Sequence, residues 1–92
     1  MAHAARHAGL PLTVYAPETA PRTKLDAIRA LGATLVLCRD YDDAEARAKA
    51  HGERGDAVFI SPYAHPDVIA GAGTVGLEIF EDVPGVDAIV VA

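Results

Sequence analysis

Pro21-Arg22-Thr23-Lys24-Leu25-Asp26-Ala27-Ile28-Arg29-Ala30-Leu31-Gly32-Ala33-Thr34-Leu35-Val36-Leu37-Cys38 changes its hydrophobic period partway along. Up to Leu31, apolar residues fall at 25, 28 and 31 and share one face of a helix, with proline in the first turn and Gly32 at the stop. From Thr34 the residues are continuously apolar, the pattern of a strand covered on both faces. Just upstream, residues 12–16 form another apolar run, so the order is strand, helix, strand. Two further runs, 57–60 and 87–91, read the same way. The fold expected is α/β, an open parallel sheet of about four strands with flanking helices and right-handed crossovers.

Three more helical patterns lie around these runs. Residues 2–8 are alanine-rich and end at Gly9 and Pro11. A helix is expected over 43–51, with Asp42 as N-cap, Glu45 completing a capping box and Gly52 beyond its end. Another is expected over 74–82, burying Val75, Ile79 and Val83 before Pro84-Gly85 stops it. Nothing ahead of Ala2 can cap the first helix, and the last run stops at full hydrophobicity, so the pattern reads as cut at both ends.

Composition narrows the function classes. The chain has 92 residues, 51% hydrophobic, and a net charge of −5 with two lysines, Lys24 and Lys49. It offers no basic stripe for a phosphate backbone, so no nucleic-acid partner is expected. No apolar run reaches the ~20 residues that cross a bilayer, and no signal-peptide core is evident, so no membrane association and a cytoplasmic location are expected. Cys38 is the sole cysteine, which excludes an internal disulfide and places it as the buried end of a strand.

Several motifs have ordinary structural readings. Gly71-Ala72-Gly73-Thr74-Val75-Gly76 has the spacing of a dinucleotide-binding loop, but no strand precedes it and no acid follows at the required distance. Its glycines are expected to let a helix start pack closely, with Thr74 as its cap. His3 and His7 stand one helical turn apart without the glutamate of a zinc-protease helix, so no metal site is expected. Asp42-Asp43 fits acids placed by the helix dipole in a first turn; the competing reading is a receiver-like phosphoacceptor. Tyr63 and His65 lie in a loop after a strand end, a favourable place for function.

Pro17-Glu18-Thr19-Ala20-Pro21-Arg22-Thr23-Lys24, Ser61-Pro62-Tyr63 and Pro66-Asp67-Val68-Ile69-Ala70-Gly71-Ala72-Gly73-Thr74 closely resemble the threonine dehydratase and serine racemase family. The likeness continues through Leu31-Gly32-Ala33, Tyr41-Asp42-Asp43-Ala44 and Val86 to Val91. The resemblance implies a piece of the fold-type-II pyridoxal-phosphate fold, tryptophan synthase β-like, with residues 1–62 in the small, mobile domain and 63–92 beginning the return into the large one. It implies pyridoxal phosphate as cofactor of the intact enzyme and threonine or serine as substrate, deaminated to a 2-oxo acid and ammonia. The cofactor-holding serine-glycine-asparagine loop and the glycine-rich phosphate loop would lie outside these residues. Neither Lys24 nor Lys49 has the sequence context of the family's Schiff-base lysine, so no catalytic residue is assigned, no cofactor is expected on this chain alone, and it is expected to be inactive. Tyr63 matches a position beside the cofactor ring and is the one cofactor-proximal candidate. Ala72 replaces a glutamine common in the family.

A rival reading from another class is a non-catalytic acidic α/β interaction module. It requires the chain to fold alone, or to bury its open sheet edges by self-association.

Overall fold

The computed structural model describes residues 1–91, as two compact units, the first Met1–Phe59 and the second beginning at Ile60. The first unit holds α1 (Ala2–Ala8), β1 (Thr13–Pro17), α2 (Arg22–Ala30), β2 (Thr34–Cys38) and α3 (Tyr41–Glu53). The second holds α4 (Pro66–Asp82).

In the first unit β1 and β2 pair in parallel, Thr13 opposite Thr34 through Pro17 opposite Cys38. The ladder is extended at both ends by Thr34 N–H donating to Leu12 O (2.9 Å) and Glu18 N–H donating to Cys38 O (2.8 Å). Residues in register on parallel strands face the same side. Tyr15, Val36 and Cys38 therefore share the side on which α3 lies, because Tyr15 and Cys38 both meet side chains of that helix. Alternation turns Ala16, Leu35 and Leu37 to the opposite side. Helix α2 packs on β2, and α3 on both strands. The core is thin: Ala16, Leu25, Cys38 and Ala44 are its buried members, and Leu25 is the only large aliphatic side chain among them.

Helix ends follow local chemistry. At α1, Gly9 adopts a left-handed φ of 66° while Leu10 N–H donates to Ala5 O and Gly9 N–H to Arg6 O, a Schellman closure that a β-carbon would strain. Helix α3 begins earlier than the expected cap: Asp40, not Asp42, is the N-cap, its Oδ1 accepting from Asp43 N–H at 2.8 Å. Asp43 in turn accepts from Arg39 N–H at 3.0 Å, so it is Asp43 and not Glu45 that completes a box-like pair. Helix α3 also runs through Gly52 to Glu53. Gly52 serves a different purpose there, since a β-carbon on it would lie 3.0 Å from Phe59 Cβ and 3.1 Å from Phe59 N.

Two of the four expected strands form. Among the described residues, 57–60 and 87–91 make no ladder, and the sheet has two strands. An apolar run becomes a strand only where a neighbour supplies hydrogen-bond partners, and here only β1 and β2 have one another.

In the second unit, α4 starts at Pro66 and not at Thr74. Proline at the first helical position gives up no bond, and His65 caps the end by accepting from Asp67 N–H at its Nδ1 (3.3 Å). The glycine motif thus lies inside the helix, and Thr74 does not cap it but donates from Oγ1 to Gly71 O at 2.8 Å. Val75 and Val83 are exposed, and α4 buries no residue. No helix among the described residues is long and apolar enough to cross a membrane.

Candidate functional site

The loop leading into α4 carries the one residue singled out for a cofactor. Ser61 Oγ accepts from Tyr63 N–H (3.3 Å) and Ala64 N–H (3.1 Å), a hydroxyl-closed turn that fixes the backbone of this loop. The turn leaves Tyr63 75% exposed and its side chain without a partner among the described contacts. His65, partly exposed, is occupied as the cap of α4, with Asp67 Oδ2 4.0 Å from its Nδ1. The loop therefore presents an aromatic ring on a fixed backbone, able to stack on or flank a planar group.

The first unit contains a polar cluster that sequence reading did not assemble. Tyr15 on β1 places its hydroxyl 3.0 Å from His51 Nδ1 on α3, the rings meeting edge-on at 6.0 Å. The Arg47 guanidinium sits 5.8 Å from the centre of the Tyr15 ring and donates to Leu37 O (3.4 Å) and Cys38 Sγ (3.5 Å). Arg47 also lies 3.9 Å from Asp43. Arg47 and His51 are four apart on one helix and so share a face, a signal present in the sequence. The strand partner they meet was not legible, because it depends on how α3 crosses the sheet. The cluster fastens α3 to both strands and leaves Cys38 buried as a free thiol.

At the start of α3 the Asp40 carboxyl is held below its ordinary range, first by the Asp43 N–H and then by the Arg39 guanidinium, whose Nε donates to it at 2.8 Å. Asp42 lies in the first turn of the same helix. Asp40 and Asp43 are thus engaged in capping.

Both lysines are exposed. Lys24 lies in the first turn of α2, and Lys49 pairs with Glu45 at 2.6 Å while lying 6.0 Å from the Phe59 ring centre. A Schiff-base amine sits in a desolvated pocket, and neither lysine has one. The backbone N–H groups of residues 71–76 are interior to α4, where the helical ladder uses them, and so offer no phosphate cradle. These residues do not by themselves fit pyridoxal phosphate. His3 and His7 stand on the exposed face of α1, and no group of three or more metal-ligating side chains occurs among the described residues. A shallow cleft of about 90 Å³ lies between the ends of α1 and α2, lined by Arg6, Leu10 and Leu31 among others, with no convergent polar set.

Comparison with known proteins places these features. The chain is 44% identical over 92 residues to an L-threonine ammonia-lyase of Thermotoga maritima, covering 99% of this chain and 23% of that protein. It is 41% identical to the serine racemase of Homo sapiens, covering 99% of this chain and 27% of that one. Among solved structures, maize serine racemase superposes with a TM-score of 0.79 at 33% identity, over 94% of this chain and 26% of that chain. The chain thus spans about a quarter of the length of the relatives it matches, and its α/β fold is that of the fold-type-II enzymes. Members of this family bind pyridoxal phosphate in the intact enzyme. The match to the family model described as pyridoxal-phosphate dependent enzyme extends over residues 1–92, and the chain belongs to that family.

Proposed function

We propose that this chain is part of a pyridoxal-phosphate-dependent lyase that deaminates L-threonine or L-serine to a 2-oxo acid and ammonia, and that the 92 residues alone are inactive. The observation that carries the reading is the 44% identity, along essentially the whole chain, to a protein named L-threonine ammonia-lyase. The exposure of Lys24 and the ion pair of Lys49 support the second half, since neither amine is desolvated. In this reading residues 1–62 belong to the small, mobile domain and 63–92 begin the return into the large domain. Tyr63 flanks the cofactor ring, the substrate is a hydroxy amino acid, and the enzyme is cytoplasmic.

The test has two arms. The isolated chain mixed with pyridoxal phosphate should show no stoichiometric aldimine absorbance; such a band, abolished by K24A or by K49A, would overturn the expected inactivity. Grafted in place of the matched residues of the Thermotoga maritima enzyme, the chain should support release of 2-oxo acid from L-threonine. A folded, cofactor-loaded chimera that leaves L-threonine and L-serine untouched would remove the lyase assignment. Within an active chimera Y63A should shift the cofactor's visible absorbance, and an unchanged spectrum would remove Tyr63 from the site.

A further inference from the structure

Ser61 and His65 are each followed by proline, and Tyr63 lies between the two pairs. Both act as side-chain caps: Ser61 Oγ accepts from Tyr63 N–H and Ala64 N–H, and His65 Nδ1 accepts from Asp67 N–H. A capping residue needs extended backbone, and the ring of a following proline pushes its neighbour into that region. His65 shows the outcome, with φ −76° and ψ 127°. The prolines also fix their own φ near about −65° and bring no N–H to satisfy. With the N–H groups of 63, 64 and 67 held by side chains, the loop has no run of free donors to cradle an anion, and what it offers is an aromatic face.

We infer that Ser61 is a positioning residue: its hydroxyl, by closing the turn on Tyr63 and Ala64, holds the Tyr63 ring in place before a planar ligand group arrives. The inference rests on the reading that Tyr63 flanks the cofactor ring, and it names the group that sets where Tyr63 stands. Pro62 does not suffice for this, because it restricts residues 61 and 62 and leaves both backbone torsions of Tyr63 open. The His65 cap fixes only the far end of the loop. Once Ser61 holds the backbone, the ring keeps its two side-chain torsions alone, so little ordering remains to oppose stacking.

Nitrogen relaxation on the 92-residue chain tests the anchoring without any cofactor. Backbone order parameters of Tyr63 and Ala64 should be near about 0.85 in the unsubstituted chain and fall below about 0.6 in S61A. S61T, which keeps the hydroxyl, should restore them. Values that stay high in S61A, or that are low before any substitution, overturn the proposal. In the cofactor-loaded chimera with the Thermotoga maritima enzyme, S61A should move the visible absorbance in the direction that Y63A does, and S61T should return it. Adding S61A to Y63A should change nothing further, whereas a merely structural loss would not depend on the ring at 63. An S61A shift that persists beside Y63A, or no S61A shift where Y63A gives one, overturns the role of Ser61 while the enzyme reading stands. A silent Y63A overturns the cofactor contact of Tyr63 and the role of Ser61 with it, a result distinct from a silent S61A alone.

Discussion

Replacing Leu25 by alanine should cost the first unit much of its stability. Leu25 is 6% exposed on the inner face of α2, and the other buried members of the core, Ala16, Cys38 and Ala44, are small. The substitution removes three carbon groups, about 2.4 kcal/mol at ~0.8 kcal/mol each. A cavity term adds little, because a core one helix deep over a two-stranded sheet can collapse, so the total falls near about 2.5–3 kcal/mol, the low end for buried leucines. A unit of this size has a net stability of about 3–9 kcal/mol, so more than about a quarter of it is lost. The melting midpoint followed by far-UV circular dichroism should fall by about 10–20 °C. The half-buried Ile28, one turn on, should cost about half as much on the same replacement. A Leu25→Ala shift under about 3 °C, or a larger one for Ile28→Ala, would refute the assignment of Leu25 as the centre of this core.

The remaining predictions concern the polar groups. Tyr15→Phe keeps the ring under Arg47 but removes the hydroxyl facing His51, and should destabilise by about 1 kcal/mol in urea titrations. In the unsubstituted chain nitrogen NMR on the neutral His51 ring fixes the direction of the 3.0 Å contact with the Tyr15 hydroxyl: a ring protonated on Nε2 makes Nδ1 the acceptor, and one protonated on Nδ1 makes it the donor. Asp40 has a folded pKa below its unfolded one, so its contribution to stability is present above the unfolded value, about 3.9, and is lost as pH falls through the folded value. Asp40→Asn, also a good N-cap, should therefore be less stable than the parent above about pH 5, with the gap closing on acidification; a gap independent of pH would show that the carboxylate charge is not what the cap uses. Thr74→Ala should change stability by no more than about 0.5 kcal/mol, since its hydroxyl bonds within an exposed turn of α4.

The β-α-β order, the bounds of α1 and β2, the burial of Cys38 and the family likeness were all legible in the sequence, because each rests on a local period, a glycine stop or a linear motif. Helix α4 shows where local reading misleads. Gly71 to Gly76 reads as a closely packed helix start capped by Thr74, yet Pro66 at the first position, Asp67 in the first turn and the cap from His65 start the helix earlier and carry it through the glycines. Those signals were present in the sequence as well. The choice of Asp40 over Asp42 as the cap of α3 is similar, a competition between neighbouring carboxylates that the position of the first free N–H groups settles.

What the sequence by itself determined was the set of elements that can form, since a helix satisfies its own backbone and advertises its covered face every three or four residues. What only the tertiary structure decided was which elements meet. Residues 57–60 and 87–91 have the composition of strands but no ladder, because a strand's hydrogen bonds belong to its neighbour. Tyr15, Cys38, Arg47 and His51 lie far apart along the chain, and only the crossing of α3 over β1 and β2 joins them.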